Sequence, residues 1–196
     1  MSNIGKSLTP VSLALVLGLS MSALLGGASG SLAQTPARTL FGNADFEMDW
    51  RLEPQNKTLR VRYSAAVKRL RIEALDGSQQ VMLRDLVKGD VVILIAQGQK
   101  GAFAQKSPPL GPFQPQEVGE TRQIAGQSCR DFMVQGQKLC VTDDGIPVAV
   151  EFGEIRITAT SLMRQAQHPA LFQVPKELKL QPLPGAAANT VPKLPF

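Results

Sequence analysis

His168 is the only histidine in this chain of 196 residues, so it is the first side chain to test for catalysis. A histidine base needs a nucleophile and an orienting carboxylate within hydrogen-bonding distance. The Gly-x-Ser-x-Gly nucleophile motif is absent from residues 34–196, and Pro169 favours extended backbone at His168. The sequence therefore indicates a histidine in a surface loop, and we predict that the protein is not an enzyme.

Metal and cofactor sites have equally few candidate ligands. One histidine and two cysteines are too few for a structural zinc site. The tripeptide Asp143-Asp144-Gly145 lacks the alternating acids and closing glutamate of a calcium loop, so it predicts a tight turn. The glycines within residues 98–101 lie between two predicted strands, which favours a hairpin turn over a phosphate-binding loop. We expect no cofactor and no metal.

Cys129 and Cys140 are the two cysteines of the chain. Their spacing is not that of a Cys-x-x-Cys redox or metal motif. In an exported protein, two cysteines this close in sequence are typical of a disulfide bond. Closing so short a loop stabilises the fold by about 3 kcal/mol in the chain-entropy model. We therefore predict a structural disulfide.

The N-terminus has the three zones of a cleavable signal peptide. Residues 1–10 are polar with one cation and no acid, Val11–Leu25 is apolar, and Gly26–Ala33 is rich in small residues. We expect cleavage between Ala33 and Gln34. A retained membrane anchor is the alternative, but the apolar run of about fifteen residues is shorter than the roughly 20 that span a bilayer. The sequence predicts a periplasmic protein with no transmembrane anchor after cleavage.

The remaining residues, 34–196, are enough for one domain with its own core. They hold all but one of the 21 basic residues and all 16 acidic residues, which is a mild basic excess. Nucleic acid is not an expected partner, because an exported protein is separated from the nucleic acids of the cytoplasm. Aromatic residues, 5% of the chain, are also too few for a platform on which bases stack.

Most of this domain alternates apolar and polar residues with a period of two, which is typical of strands with one buried and one solvated face. The alternation is clear in Phe46–Glu53, Leu59–Tyr63 and Leu70–Ala74, and Val91–Ala96 is a continuous apolar run typical of a central strand. Further strands are predicted at Glu120–Ile124, Ser128–Val134, Lys138–Thr142, Ile146–Phe152 and Glu154–Leu162. So many strands do not stay flat.

Three segments break this pattern. Lys106–Gln116 contains four prolines and is predicted to be a long loop, of the kind that serves as a lid or binding loop. Short helices are expected at Ser161–Gln167 or Pro175–Leu180. The predicted organisation is a signal peptide at 1–33, one antiparallel all-β domain of about eight to eleven strands at 34–180, and a disordered tail rich in proline and alanine at 181–196.

Two sets of side chains are candidates for binding. The first three strands place seven apolar residues on one side of the sheet: Met48, Trp50, Leu59, Val61, Tyr63, Leu70 and Ile72. If the sheet closes on itself or on a helix, these residues are core, whereas in an open curl they line a cavity for an apolar ligand. Both interpretations stay open, because little helix is predicted that could cover this face.

The opposite side of the same strands carries four arginines: Arg60, Arg62, Arg69 and Arg71. Such a basic patch can contact anionic lipid headgroups or an acidic partner in the cell envelope. The alternative is a solvated outer face, and the nearby acids Glu47, Asp49 and Glu53 favour it.

The segments Gly126–Phe132, Leu139–Pro147 and Pro169–Pro175 resemble those of an uncharacterised group of exported proteobacterial domains. That group is distantly similar to the periplasmic lipoprotein carriers LolA and LolB. The resemblance covers about the last third of the mature domain. It implies an antiparallel sheet curled into an unclosed barrel, with helices or loops on its concave face, where the carriers hold acyl chains.

These observations together favour a non-catalytic periplasmic domain. We expect its apolar concave face to bind a lipid, an acyl chain or a lipoprotein. The alternative is an envelope interaction or assembly protein that holds no ligand and binds an envelope protein through its outer face, its proline-rich loop or its tail.

Overall fold

A computed structural model describes residues 37–96 and 101–183. The chain divides into two units, Met1–Ala33 and Gln34–Phe196, and the first lies outside the described residues. The predicted signal peptide, its cleavage site at Ala33 and Gln34, and residues 184–196 of the predicted tail therefore stay predictions. No helix in the described part of the chain is long and apolar enough to cross a membrane.

The described residues form one sheet of twelve strands. The strands are β1 Phe46–Glu53, β2 Lys57–Ser64, β3 Arg69–Ala74, β4 Gln80–Asp85, β5 Asp90–Ile95, β6 Gly101–Lys106, β7 Gln116–Ile124, β8 Gln127–Val134, β9 Gln137–Thr142, β10 Pro147–Phe152, β11 Ile155–Met163 and β12 Leu180–Pro182. Their spatial order is β12-β6-β5-β4-β3-β2-β1-β11-β10-β9-β8-β7. All neighbours are antiparallel except β12, which runs parallel to β6.

This sheet is not closed, because β7 and β12 are its two edges and do not pair with each other. Its apolar face nevertheless forms one continuous core that includes residues of β2, such as Val61, and residues of β8, such as Phe132. In a flat sheet these two strands, five positions apart, would be separated by about 24 Å. Strands β7 and β11, four positions apart in the sheet order, also come into contact. The sheet therefore curls around its apolar face, and the predicted all-β class with an antiparallel sheet curled into an unclosed barrel is confirmed.

The strand predictions from alternation agree with the structure, and β1 has the predicted bounds. The predicted short helices are wrong. Ser161–Met163 continues β11, and the only helical turn among the described residues is a 3₁₀ turn at Pro169–Phe172. Because Ser161 to Met163 pair with β1 in register, tertiary pairing overrides any local helical preference there. Strand β12 extends β structure into the first two residues of the predicted tail.

Candidate functional site

The seven apolar residues predicted to share a face do so, and all are buried. None of Met48, Trp50, Leu59, Val61, Tyr63, Leu70 and Ile72 is more than 6% exposed. They pack in one core with side chains from β9 and β10, among them Leu139 and Val148. Most of this face is therefore core, and a binding site can exist only where its cover is incomplete.

The segment before β1 covers part of the concave face. Phe41 is fully buried and its ring lies 5.7 Å from that of Tyr63 and 6.3 Å from that of Phe46. Its backbone N–H donates to Gly145 O at 2.7 Å, which ties the segment to the turn between β9 and β10. Gly145 has φ +87°, and a Cβ there would lie 2.8 Å from Thr39 O. Only glycine permits so close an approach without strain.

The predicted proline-rich loop covers the rest of this face. Ser107 N–H donates to Gly89 O and Leu110 N–H to Leu86 O, both at 2.8 Å, so the loop is bonded to the turn between β4 and β5. Phe113 makes two backbone hydrogen bonds with Arg38. Leu110 and Phe113 pack on the core. This loop and the segment before β1 cover the face that helices were expected to cover.

A cavity of about 200 Å³ lies where these two covers meet, at the end of the barrel formed by the β2–β3 and β4–β5 turns. We call it the mouth cavity. Its lining residues are Thr39, Leu40, Gly42, Asn43, Tyr63, Lys68, Leu86, Val87, Leu110 and Gly111. Of the seven predicted apolar residues, only Tyr63 lines it. The mouth cavity is therefore an opening on the predicted ligand face.

Two polar groups of the mouth cavity have distinct electrostatics. Burial, with a smaller contribution from Asp45, raises the pKa of Tyr63 to about 12. Tyr63 is therefore neutral at physiological pH, and its hydroxyl lies 3.4 Å from Gly42 O, to which it donates. Lys68 Nζ donates to Asn43 Oδ1 at 3.3 Å and forms no ion pair with any described residue. All 16 acidic side chains of the protein lie within the described ranges.

Arg84 is a second cation without a carboxylate partner among the described residues. It lies on the concave side of β4, opposite Leu70 of β3, and is only 9% exposed. One guanidinium nitrogen donates to Pro108 O of the proline-rich loop at 3.1 Å, while its Nε has no hydrogen-bond partner. Burial lowers the pKa of Arg84. No alternation in the sequence predicts this inward position, because residues 81–83 before it are all apolar.

The four arginines of the predicted basic patch lie together on the outer face, as expected, but they are ion-paired within the chain. Arg60 Nε donates to Asp49 at 2.8 Å, and this hydrogen bond is the main cause of its raised pKa. Arg62 pairs with Glu47 and Glu73, Arg69 with Asp85 and Arg71 with Glu73. Four acids thus face four arginines, and the patch carries no excess charge.

Two of these arginines also hold the C-terminal segment on the outer face. Arg69 donates to Phe172 O at 3.1 Å and Arg71 to Leu171 O at 2.8 Å. A larger cavity of about 280 Å³ lies beneath this segment, lined by Arg69, Leu83, Asp85, Asp90, Val92, Ala104, Phe172, Val174 and Leu180. Its charged groups pair among themselves or with Lys106. We regard it as a packing seam, because it leaves no charge or polar group without a partner.

Cys129 and Cys140 lie at disulfide distance, with 2.11 Å between the two sulfur atoms and 5.4 Å between the Cα atoms. They are diagonal neighbours on β8 and β9, since Cys129 pairs with Thr142 and Cys140 with Asp131. Both are buried in the core.

His168 is exposed and its Nδ1 accepts a hydrogen bond from Ala170 N–H at 3.2 Å, so it caps the 3₁₀ turn. Within residues 37–96 and 101–183, no three His, Cys, Asp or Glu side chains are grouped as metal ligands.

Comparison with known proteins shows likeness in fold alone. No family model matches the chain, and no curated protein matches its sequence. The structure is similar to that of an uncharacterised conserved protein from Thermus thermophilus, with 13% identity and a TM-score of 0.54 over 71% of this chain and 91% of that one. MucB gives 19% identity and a TM-score of 0.47 over 69% of this chain and 59% of its own. PNGF-II gives 10% identity and a TM-score of 0.48 over 75% of this chain and 32% of its own.

Proposed function

We propose that this protein is a non-catalytic extracytoplasmic domain that binds the acyl chain of a lipid or lipoprotein in the mouth cavity. The observation that carries the proposal is the position of this cavity. It is an opening on the concave face of an unclosed barrel, at the junction of two covering loops. Concave sites lined by apolar groups with a few polar ones are the usual form of a small-molecule site.

The lining of the mouth cavity suits an apolar chain. Leu40 and Leu86 are buried core residues, and Leu110 of the proline-rich loop packs on the same core. The volume of about 200 Å³ is smaller than the roughly 300 Å³ of typical ligand sites. A cavity of this volume holds a short length of chain, and a longer chain requires the proline-rich loop to move outward.

Movement of this loop is consistent with how it is attached. The hydrogen bonds of Ser107 and Leu110 join it to the β4–β5 turn, and the pair with Arg38 joins its far end to the segment before β1. A segment that is held by few backbone bonds and exposes most of its prolines opens at a lower free-energy cost than a core strand.

The test uses a neutral ligand, so that only the cavity is probed. We expect 1-decanol to bind the purified protein in calorimetric titration. Leu110→Trp, which fills the mouth cavity, should abolish that binding. Leu75→Trp is the matched control, because Leu75 is an exposed leucine at the opposite end of the strands. Absence of 1-decanol binding to the unaltered protein, together with absence of lipid in the protein purified from envelope extracts, would refute the proposal.

A second candidate function, recognition of an envelope protein, is favoured by strand β7. This edge strand has nine residues, and the first six of them, Gln116–Thr121, are all exposed. An open edge of this length can accept a strand from a partner. Val118→Lys places a charge on the edge and should reduce capture of envelope proteins. Equal capture by Val118→Lys and by the unaltered protein would count against this edge.

A further inference from the structure

The mouth cavity contains one cation, Lys68, and its position is fixed by the backbone. Lys68 O accepts a hydrogen bond from Leu86 N–H at 3.0 Å, which joins the β2–β3 turn to the β4–β5 turn. The side chain is half-buried, and it donates to Asn43 Oδ1 at 3.3 Å. An ammonium group has three donors, so this one contact leaves it able to bind a further acceptor at the entrance of an apolar cavity.

The described acids on the neighbouring elements form no ion pair with Lys68, although the charge of Asp45 contributes to the raised pKa of Tyr63 in the same lining. Asp45 accepts hydrogen bonds from Ala65 N–H at 2.7 Å and Gln167 N–H at 2.9 Å. Asp85 is paired with Arg69 and accepts from the backbone of its own turn. Neither acid forms an ion pair with Lys68 among the described residues.

Two further cations raise the positive potential at this end of the barrel. Lys88 is exposed on the β4–β5 turn, and Arg84 is buried beneath the proline-rich loop. Neither forms an ion pair within the described part of the chain. Tyr63, the one titratable acid in the lining, is neutral at physiological pH. Lys68 is therefore the charged side chain of the lining, and Lys88 and Arg84 lie near it in sequence and in the sheet but do not line the cavity.

We propose that the mouth cavity selects an anionic single-chain amphiphile, whose carboxylate or phosphate headgroup pairs with Lys68 while its first methylenes enter past Leu86 and Leu110. This inference rests on the proposed acyl-chain function and adds the headgroup class to it. The partner chemistry follows from the charge, because an anion replaces the missing counter-ion of Lys68 and gains a charge-assisted hydrogen bond.

The test compares three ligands with the same chain: decanoate, decyl phosphate and neutral 1-decanol. We expect both anions to bind about tenfold more tightly than 1-decanol. A hydrogen bond to a charged group contributes roughly the free energy that corresponds to a tenfold change in the dissociation constant. Lys68→Met should remove this preference, so that the two anions no longer bind more tightly than 1-decanol. Met is slightly shorter than Lys but is likewise unbranched, and it makes a similar demand on the backbone, whose φ is +52° at this position.

Two controls separate Lys68 from the general positive potential. Lys88→Met, on the neighbouring turn, should keep the preference for the anions. Lys68→Arg should restore at least part of the preference. Inorganic phosphate alone should not displace decyl phosphate, because the chain supplies the apolar part of the binding.

Equal affinity for decanoate and 1-decanol in the unaltered protein would overturn the headgroup proposal and leave acyl-chain binding standing. Failure of all three ligands to bind would overturn both proposals. Loss of the preference in Lys88→Met, or displacement by inorganic phosphate, would also overturn the assignment to Lys68, because either result indicates an anion site that does not depend on the cavity.

Discussion

Tyr63 is the only tyrosine of the protein, so its ionisation can be followed without interference. Burial raises its pKa from the ordinary value of 10.0 to about 12. We predict that the phenolate absorbance of the native protein appears with a midpoint near 12, whereas the denatured protein titrates near 10. Because ionisation is easier in the unfolded chain, raising the pH from about 10 to about 12 should progressively destabilise the fold.

The control for this titration is Tyr63→Phe, which removes the absorbance change and should remove the part of the alkaline destabilisation that belongs to Tyr63. A native midpoint near 10 would show that the hydroxyl is solvated, and it would contradict the burial of this side chain against Phe41.

Arg84 and Arg62 lie on opposite sides of the sheet and should respond in opposite ways to loss of charge. Arg84 is buried with an unpaired Nε, which is costly, so Arg84→Met should raise the free energy of unfolding by about 1 kcal/mol. Arg62 contacts Glu47 and Glu73, and Arg62→Met should lower it by about 1 kcal/mol because two partly buried carboxylates lose a partner. Denaturant titration measures both. A loss of stability in Arg84→Met would contradict this account.

At the scale of elements, the β8–β9 hairpin depends on its cross-link. The double variant Cys129→Ser and Cys140→Ser should lose about 3 kcal/mol of stability, because the cross-link restricts the unfolded chain. Thermal unfolding with and without reductant measures the same quantity in the unaltered protein. The double variant is the control, since reductant should not change its melting temperature. Equal melting of the oxidised and reduced unaltered protein would contradict the predicted stabilisation.

The strands were predictable because their signal is local. In β1, each apolar residue from Phe46 to Leu52 is followed by a polar one, and the structure buries the first set and exposes or half-buries the second. The 3₁₀ turn and β12 were not predictable in this way. Pro169–Phe172 is held by Arg69 and Arg71, about 100 residues earlier in the chain, and such a contact leaves no periodic pattern.

The candidate site was predicted only in part, for a related reason. Alternation placed Tyr63 on the correct face, and the four prolines of Lys106–Gln116 indicated the covering loop. Lys68 and Leu86 lie in turns between strands, where the pattern of alternation stops. They meet because the β2–β3 and β4–β5 turns lie at the same end of an antiparallel sheet and are joined by a hydrogen bond.

At the scale of the whole described domain, one sheet must supply nearly all of the structure and both of its faces must be covered. The concave face is covered by the curl itself, by the segment before β1 and by the proline-rich loop. The outer face over β3 to β6 is covered by the C-terminal segment, which inserts Phe172. Irregular segments thus cover the sheet as helices do in two-layer folds. The segment before β1 and the C-terminal segment each insert a large apolar side chain, Phe41 and Phe172 respectively, which is almost fully buried.

Phe172 tests this view of the C-terminal segment. It is 1% exposed on the outer face, so Phe172→Ala should lower the free energy of unfolding by about 3 kcal/mol. Leu180→Ala, at an apolar residue of the same segment that is 56% exposed, should change it by less than about 0.5 kcal/mol. Denaturant titration measures both variants, and Phe172→Leu should give an intermediate loss if Phe172→Ala does not fold. If Phe172→Ala were as stable as Leu180→Ala, the C-terminal segment would contribute little to the stability of the fold, and the outer face of β3 to β6 would be stable without its cover.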